Sequence, residues 1–223
     1  MNLYGLLWGF PFPVALALGF NELSGRRVKK ALQTITYAPY FISTVVMAGI
    51  VLQIFSYHFG VVNSFLRLIG KEPVDLLIRP SFFRPVMIIS GIWQWAGYSS
   101  VLYIAALSAV DPSLYEAAFI DGASRLQKVR HIDLPSILPT LVITLILNVG
   151  NLLNLSDEKV LLFQYGGNYS VSETIATYVY KIGIQQAQFS LSTAIGLFNA
   201  AVNFAMLYSI NFILKRASGT GLI

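Results

Sequence analysis

Residues 85–110 read PVMIISGIWQWAGYSSVLYIAALSAV and contain no Asp, Glu, Lys or Arg. A helix needs roughly 20 apolar residues to cross the hydrocarbon core of a bilayer, and this run exceeds that length. Four further charge-free runs cover 1–21, 31–66, 134–156 and 182–214. The composition agrees, with 56% hydrophobic and only 11% charged residues where soluble domains carry about 25% charged. Residues 1–223 are therefore expected to form a single transmembrane domain, an all-α polytopic helical bundle with five visible spans.

Several chemistries are excluded at this level. The chain has no cysteine, which rules out disulfides, thiol catalysis and iron–sulfur ligation. His58 and His131 stand in different segments without the spacing of a metal pair, and Gly70-Lys71 is followed by Glu72, so no phosphate-binding loop is present. The net charge of +5 is spread through short loops between apolar runs, which is a membrane-topology pattern and gives no nucleic-acid footprint. No carboxylate or lysine falls inside any expected span, which speaks against an ion-coupled carrier. No convergent acid, base or metal set marks an enzyme, and no cofactor is expected.

The charges orient the chain. Arg26, Arg27, Lys29 and Lys30 follow the first run and place that loop in the cytoplasm. Nine of the 15 Lys and Arg then fall inside (those four with Arg125, Lys128, Arg130, Lys215 and Arg216) and six outside. Pro11 and Pro13 predict a kink in the first span; the second is expected over 36–56, the third over 86–109, the fourth over 137–155 and the fifth over 191–214. In the outer loop, Val61, Val62, Phe65, Leu66 and Ile69 recur at helical spacing and predict a surface helix. Met1 falls outside or within the membrane on this topology, with no basic flank, so a sixth span preceding the chain is expected in the complete subunit. A five-span protein starting outside is the alternative.

Between the third and fourth spans lies YEAAFIDGASRLQKVRHIDLPSILP, 115–139, which carries six charged residues with apolar runs on either side. Asp111 and Pro112 predict a helix start, with Ser113 and Glu116 as an alternative capping box. Asp121 and Gly122 should end that helix, Asp121 capping a second one over 123–132, and Pro135 and Pro139 should mark re-entry into the membrane. By composition alone the stretch could be a solvated connector. Its residue order is more specific: Glu116-Ala117-Ala118, two residues, Asp121-Gly122-Ala123, then Ile132, Leu134 and Pro135. This resembles the EAA loop of permeases from binding-protein-dependent ATP-binding-cassette importers. The resemblance implies that 111–135 is a cytoplasmic coupling loop, with Glu116, Ala117, Ala118 and Gly122 as the core that docks on an ATPase subunit, Asp121 and Arg125 at its edges, and Pro135 closing the motif. It further implies a second homologous permease in a heterodimer, paired ATPase subunits, an extracellular solute-binding protein, and a multi-pass location in the plasma membrane.

The segment 161–184, with Gly166, Gly167, Ser172, Thr174 and Tyr178–Tyr180, is similar to carbohydrate-uptake permeases of this family, closest to those for polysaccharides or oligosaccharides, although Asn168 stands where they often carry Pro. Independently of that likeness, Trp93, Gln94, Trp95 and Tyr98 lie at mid-membrane depth, Asn148, Asn151 and Asn154 form a stripe on the fourth span, and Asn199 and Asn203 lie one turn apart on the fifth. Amides facing lipid are costly, so these should face other helices or a wet path. Trp93, Gln94, Tyr98, Asn148, Asn151, Asn199 and Asn203 are the candidate substrate path; interhelical packing is the competing use of the same residues. An amino-acid, peptide or ion permease, or a secondary transporter, remains the alternative function.

Overall fold

The computed structural model describes residues 2–152 and 157–218, and every regular element among them is helical. Helices α1 (Asn2–Gly9) and α2 (Pro11–Asn21) form the first span, interrupted at Phe10 because Pro11 and Pro13 lack the N–H groups that would continue the ladder.

The second span differs from the expected straight rod over 36–56. The basic stretch is itself helical, α3 covering Arg26–Tyr37; a 3₁₀ turn follows at Ala38–Phe41, and α4 (Thr44–Ile54) departs at 101° to what precedes it. The cause is local: Pro39 supplies no N–H, and the Ser43 hydroxyl restarts the helix by accepting from Val46 N. With 11 residues, α4 alone is about 16 Å long, short of the roughly 30 Å core.

The surface helix of the outer loop is α5 (Val61–Leu68), with Val61, Phe65 and Leu68 exposed. It is anchored by buried Asn63, whose amide donates to Ser56 O and Val74 O and accepts from Val74 N.

Helix α6 (Pro80–Ser108) is the axis of the fold and packs on α1, α2 and α3. Its 29 residues reach about 43 Å. Buried Ser90 and Ser100 donate to carbonyls of their own helix, Val86 O and Gly97 O, both at 2.6 Å, so these hydroxyls are satisfied without water. At Gly97 a Cβ would overlap the carbonyl of Thr36; the missing side chain lets α3 lie directly on α6.

After α6 come α7 (Pro112–Ile120), α8 (Arg125–Lys128), a π turn at Val129–Asp133 and α9 (Leu134–Gly150). The short helices α10 (Asp157–Phe163), α11 (Tyr169–Ser172) and α12 (Ile175–Tyr180) lead to α13 (Phe189–Ser218), which packs along α9. Against five expected spans, three rods are long and apolar enough to cross a bilayer, Leu3–Asn21, Arg125–Gly150 and Phe189–Arg216, with a fourth if the bent pair counts as one. Helix α6 has the length, but the polar and aromatic residues from Ser90 to Ser100 dilute its apolarity.

Two apolar clusters hold the described bundle. One joins Met47 and Val51 of α4, Phe83 and Met87 of α6, and Val160 and Phe163 of α10. The other joins Val14 and Ala17 of α2, Tyr103 and Leu107 of α6, and Ile137 of α9. On α6 they lie about 20 residues apart, roughly 30 Å.

Candidate functional site

The loop at 111–135 begins as its residue types require. Asp111 accepts from Ser113 N at 2.9 Å, and Pro112 takes the first helical position; that hydrogen bond holds the Asp111 carboxyl below its ordinary pKa. The Ser113–Glu116 alternative is not used. Helix α7 buries none of its residues, and Glu116 and Ala117 are exposed with Ala118 half-buried. Phe119 and Ile120 are 84% and 83% exposed. A helix with no face in the core, carrying two bare large apolar side chains between charged ones, is shaped to be covered by something else. Phe119 and Ile120 escape sequence reading because they look like ordinary core residues.

The helix ends at Gly122 with φ +67, a conformation that glycine adopts without penalty, and the Ala123 N–H closes back on Ala118 O at 2.9 Å. Asp121 terminates α7 and does not cap the next helix. Ser124 does so, in a reciprocal box with Gln127. Arg125 is exposed and stands 3.8 Å from Glu22, an open pair of small energetic weight. Pro135 and Pro139 do not break the chain at the membrane: Arg125 to Gly150 is one rod. The π turn at Val129–Asp133, where Leu134 N reaches Val129 O, widens the helix just where Pro135 has no N–H to donate.

That π turn also aims Asp133 inward. Asp133 is 0% exposed, and its Oδ1 accepts from Tyr115 OH at 2.5 Å and from Asn21 Nδ2 at 3.3 Å. Burial, reinforced by the acceptor Asp133, pushes the Tyr115 phenol up to about 12. Helix α7, the start of α9 and the C-terminal end of α2 are thus joined at one carboxylate. Three polar residues far apart in the chain give no pattern from which this joint could be read.

Between the two apolar clusters lies a cavity of about 430 Å³, lined by α1, α2, α4, α6, α9 and α10. Of the expected path residues, Gln94, Asn148 and Asn151 line it; Trp93, Tyr98, Asn199 and Asn203 do not. Two residues of helix turn through about 200°, so Trp93 faces away from Trp95, and it is Trp95 that meets the cavity. Tyr98 stacks on Tyr40 with centroids 3.8 Å apart. Asn203 is buried on α13, in a packing role, and Asn154 lies outside the described residues. Gln94 does double duty: its Nε2 donates to Ile42 O at 3.0 Å, pinning the bend between α3 and α4. Asn148 and Asn151 donate to carbonyls of α9, Thr144 O and Leu147 O. The residue missed entirely is Lys159 of α10, which reads in sequence as a topology charge and yet lines this cavity at 8% exposure. Its Nζ donates to Met87 O at 3.1 Å, and burial lowers its pKa to about 8.

Residues 9–219 match the family described as the binding-protein-dependent transport system inner membrane component. The chain belongs to that family. This inner-membrane component is 40% identical over 213 residues to the polygalacturonan/rhamnogalacturonan transport system permease protein YteP of Bacillus subtilis (strain 168), a match covering 96% of the chain and 66% of the relative. It is 38% identical over 217 residues to Protein LplB of the same organism, covering 97% and 68%. The chain therefore spans about two thirds of the length of these relatives. Among solved structures it superposes with TM-score 0.96 and 40% identity on a chain of a bacterial alginate transporter of the ATP-binding-cassette type, crystallised with its alginate pentasaccharide-bound periplasmic protein, covering 99% of this chain and 77% of that one.

Proposed function

We propose that this chain is the transmembrane permease subunit of an ATP-binding-cassette importer for carbohydrate, taken up as oligosaccharide. The observation that carries the reading is the uncovered helix α7, with Glu116, Ala117 and the bare Phe119 and Ile120, joined through Asp133 to two spans that flank the cavity. An ATPase subunit seated on α7 would move α2 and α9 together, opening and closing the cavity between them. A second, homologous permease would complete the path, and an extracellular solute-binding protein would deliver the cargo. Gln94, Asn148 and Asn151 supply amides for sugar hydroxyls, and Trp95 an aromatic face for the apolar side of a pyranose ring. The subunit makes and breaks no covalent bond.

The test is ATP-driven uptake in proteoliposomes holding the permease pair, the ATPase and the binding protein. Accumulation of a labelled oligosaccharide that requires both ATP and binding protein is the expected result. Uptake of amino acids, peptides or ions in its place, or uptake without ATP, contradicts the proposal.

A further inference from the structure

Helix α3 (Arg26–Tyr37) buries none of its residues. Val28, Leu32 and Ile35 are exposed at i, i+4 and i+7, which makes one apolar stripe along the helix. The helix is seated on the bundle elsewhere, through Thr36 on Gly97 of α6, and the stripe is left uncovered.

One end of that stripe is strongly positive. Arg26, Arg27 and Lys30 are exposed and Lys29 is half-buried, and none of the four is in an ion pair among the described residues. Glu22, the acid next to them in sequence, stands 3.8 Å from Arg125. Arg26 lies at i,i+3 and i,i+4 from Lys29 and Lys30, spacings at which like charges destabilise a helix. Whatever covers α3 must bring negative charge to its start and apolar matter along the rest.

The position of α3 says what that is. It starts shortly after Asn21, which bonds Asp133 beside Tyr115, so its charged end lies on the α7 side of the membrane. Its far end meets α6 at Gly97, 11 residues or about 16 Å of helix from the α7-side end at Ser108. Helix α3 thus runs from headgroup depth into a single leaflet.

We propose that α3 is a binding site for anionic phospholipid of that leaflet, its phosphates at Arg26, Arg27, Lys29 and Lys30 and an acyl chain along Val28, Leu32 and Ile35. A bilayer presents both chemistries in that order, and basic residues at its surface draw anionic headgroups. A zwitterionic headgroup brings no net charge to answer four cations. The site does not depend on which cargo the importer carries.

The chain has no cysteine, so a fluorophore can be attached at Ile35→Cys alone, in the complex of permeases and ATPases built with cysteine-free partner subunits and held in phospholipid nanodiscs. Equal mole fractions of phosphatidylglycerol and phosphatidylcholine are used, with one or the other brominated on its acyl chains, and aqueous acrylamide is the probe of water contact. Brominated phosphatidylglycerol should quench about threefold or more above brominated phosphatidylcholine, and acrylamide should quench little. Arg26→Gln with Arg27→Gln should lower that ratio by about half or more, Arg26→Lys with Arg27→Lys should keep it, and raising the salt should reduce it. Equal quenching by the two brominated lipids overturns the proposal, as does a ratio that the glutamine pair leaves unchanged. Quenching by neither lipid overturns it too, marking a stripe covered by protein, or by water where acrylamide quenches instead.

Discussion

Removing one hydroxyl, in Tyr115→Phe, tests whether α7 acts on the spans through Asp133, as its proposed coupling role requires. Tyr115 OH is the short donor to Asp133 Oδ1 at 2.5 Å, and Asn21 the long one at 3.3 Å; Oδ2 has no partner among the described residues. The substitution leaves a fully buried carboxylate held by a single weak donor. Losing a hydrogen bond to a buried charged group costs about 1.5–3 kcal/mol, and each 1.4 kcal/mol is about tenfold in an equilibrium constant. The joined state of α7 and α9 should therefore fall by roughly 10- to 100-fold relative to the parted state. The hydroxyl points into the joint, away from the exposed face of α7, so ATPase docking should persist. In proteoliposomes, ATP hydrolysis should continue while sugar moved per ATP drops several-fold. An unchanged ratio of transport to hydrolysis, with Tyr115→Phe incorporated at wild-type level, would refute the argument.

Other substitutions probe separate links. Gly122→Pro asks a residue fixed near φ −65 to occupy φ +67; transport should be lost or uncoupled from hydrolysis while membrane insertion, read by fractionation, is normal. Gly97→Ala drives a Cβ into the Thr36 backbone and should cost about 1–3 kcal/mol of overpacking, seen as loss of the monodisperse peak in size-exclusion chromatography. Gly196→Ala, with nothing within 4 Å, is its neutral control. Asn168→Ala removes the donor to Leu77 O and Phe163 O and the acceptor for Tyr165 N; three backbone groups lose partners, and limited proteolysis around 164–174 should accelerate by tenfold or more.

Apolar length and local chain chemistry were the legible parts of this fold. Three of the five charge-free runs, 1–21, 134–156 and 182–214, fall on rods long and apolar enough to cross a bilayer, because a bilayer imposes a minimum length on any helix, and the boundaries of α7 follow from Asp111, Pro112 and Gly122 because caps act within one turn. Tertiary direction was not legible. The break at 38–43 starts locally at Pro39 and Ser43, but Gln94 pins it by reaching Ile42 O across 52 residues, and hydropathy cannot register that bond. Trp93, Trp95 and Tyr98 are equivalent in a sequence window, and only the helix phase against α2 and α9 decides that Trp95 meets the cavity. Lys159 was hidden for a different reason: a charge between apolar runs reads as solvated, whereas α10 folds back and carries it inward. The Asn168 that departs from the similar permeases' Pro is likewise explained by its three backbone bonds, which a proline could not make.

The measurement that bears most directly on the whole account is copurification in gentle detergent from the native cell, comparing wild type with Glu116→Arg. The account predicts that an ATPase subunit and a second permease accompany the wild-type chain, and that Glu116→Arg loses the ATPase while keeping the permease partner. A wild-type chain that transports while purifying without any ATPase, or an ATPase retained undiminished by Glu116→Arg, would contradict it.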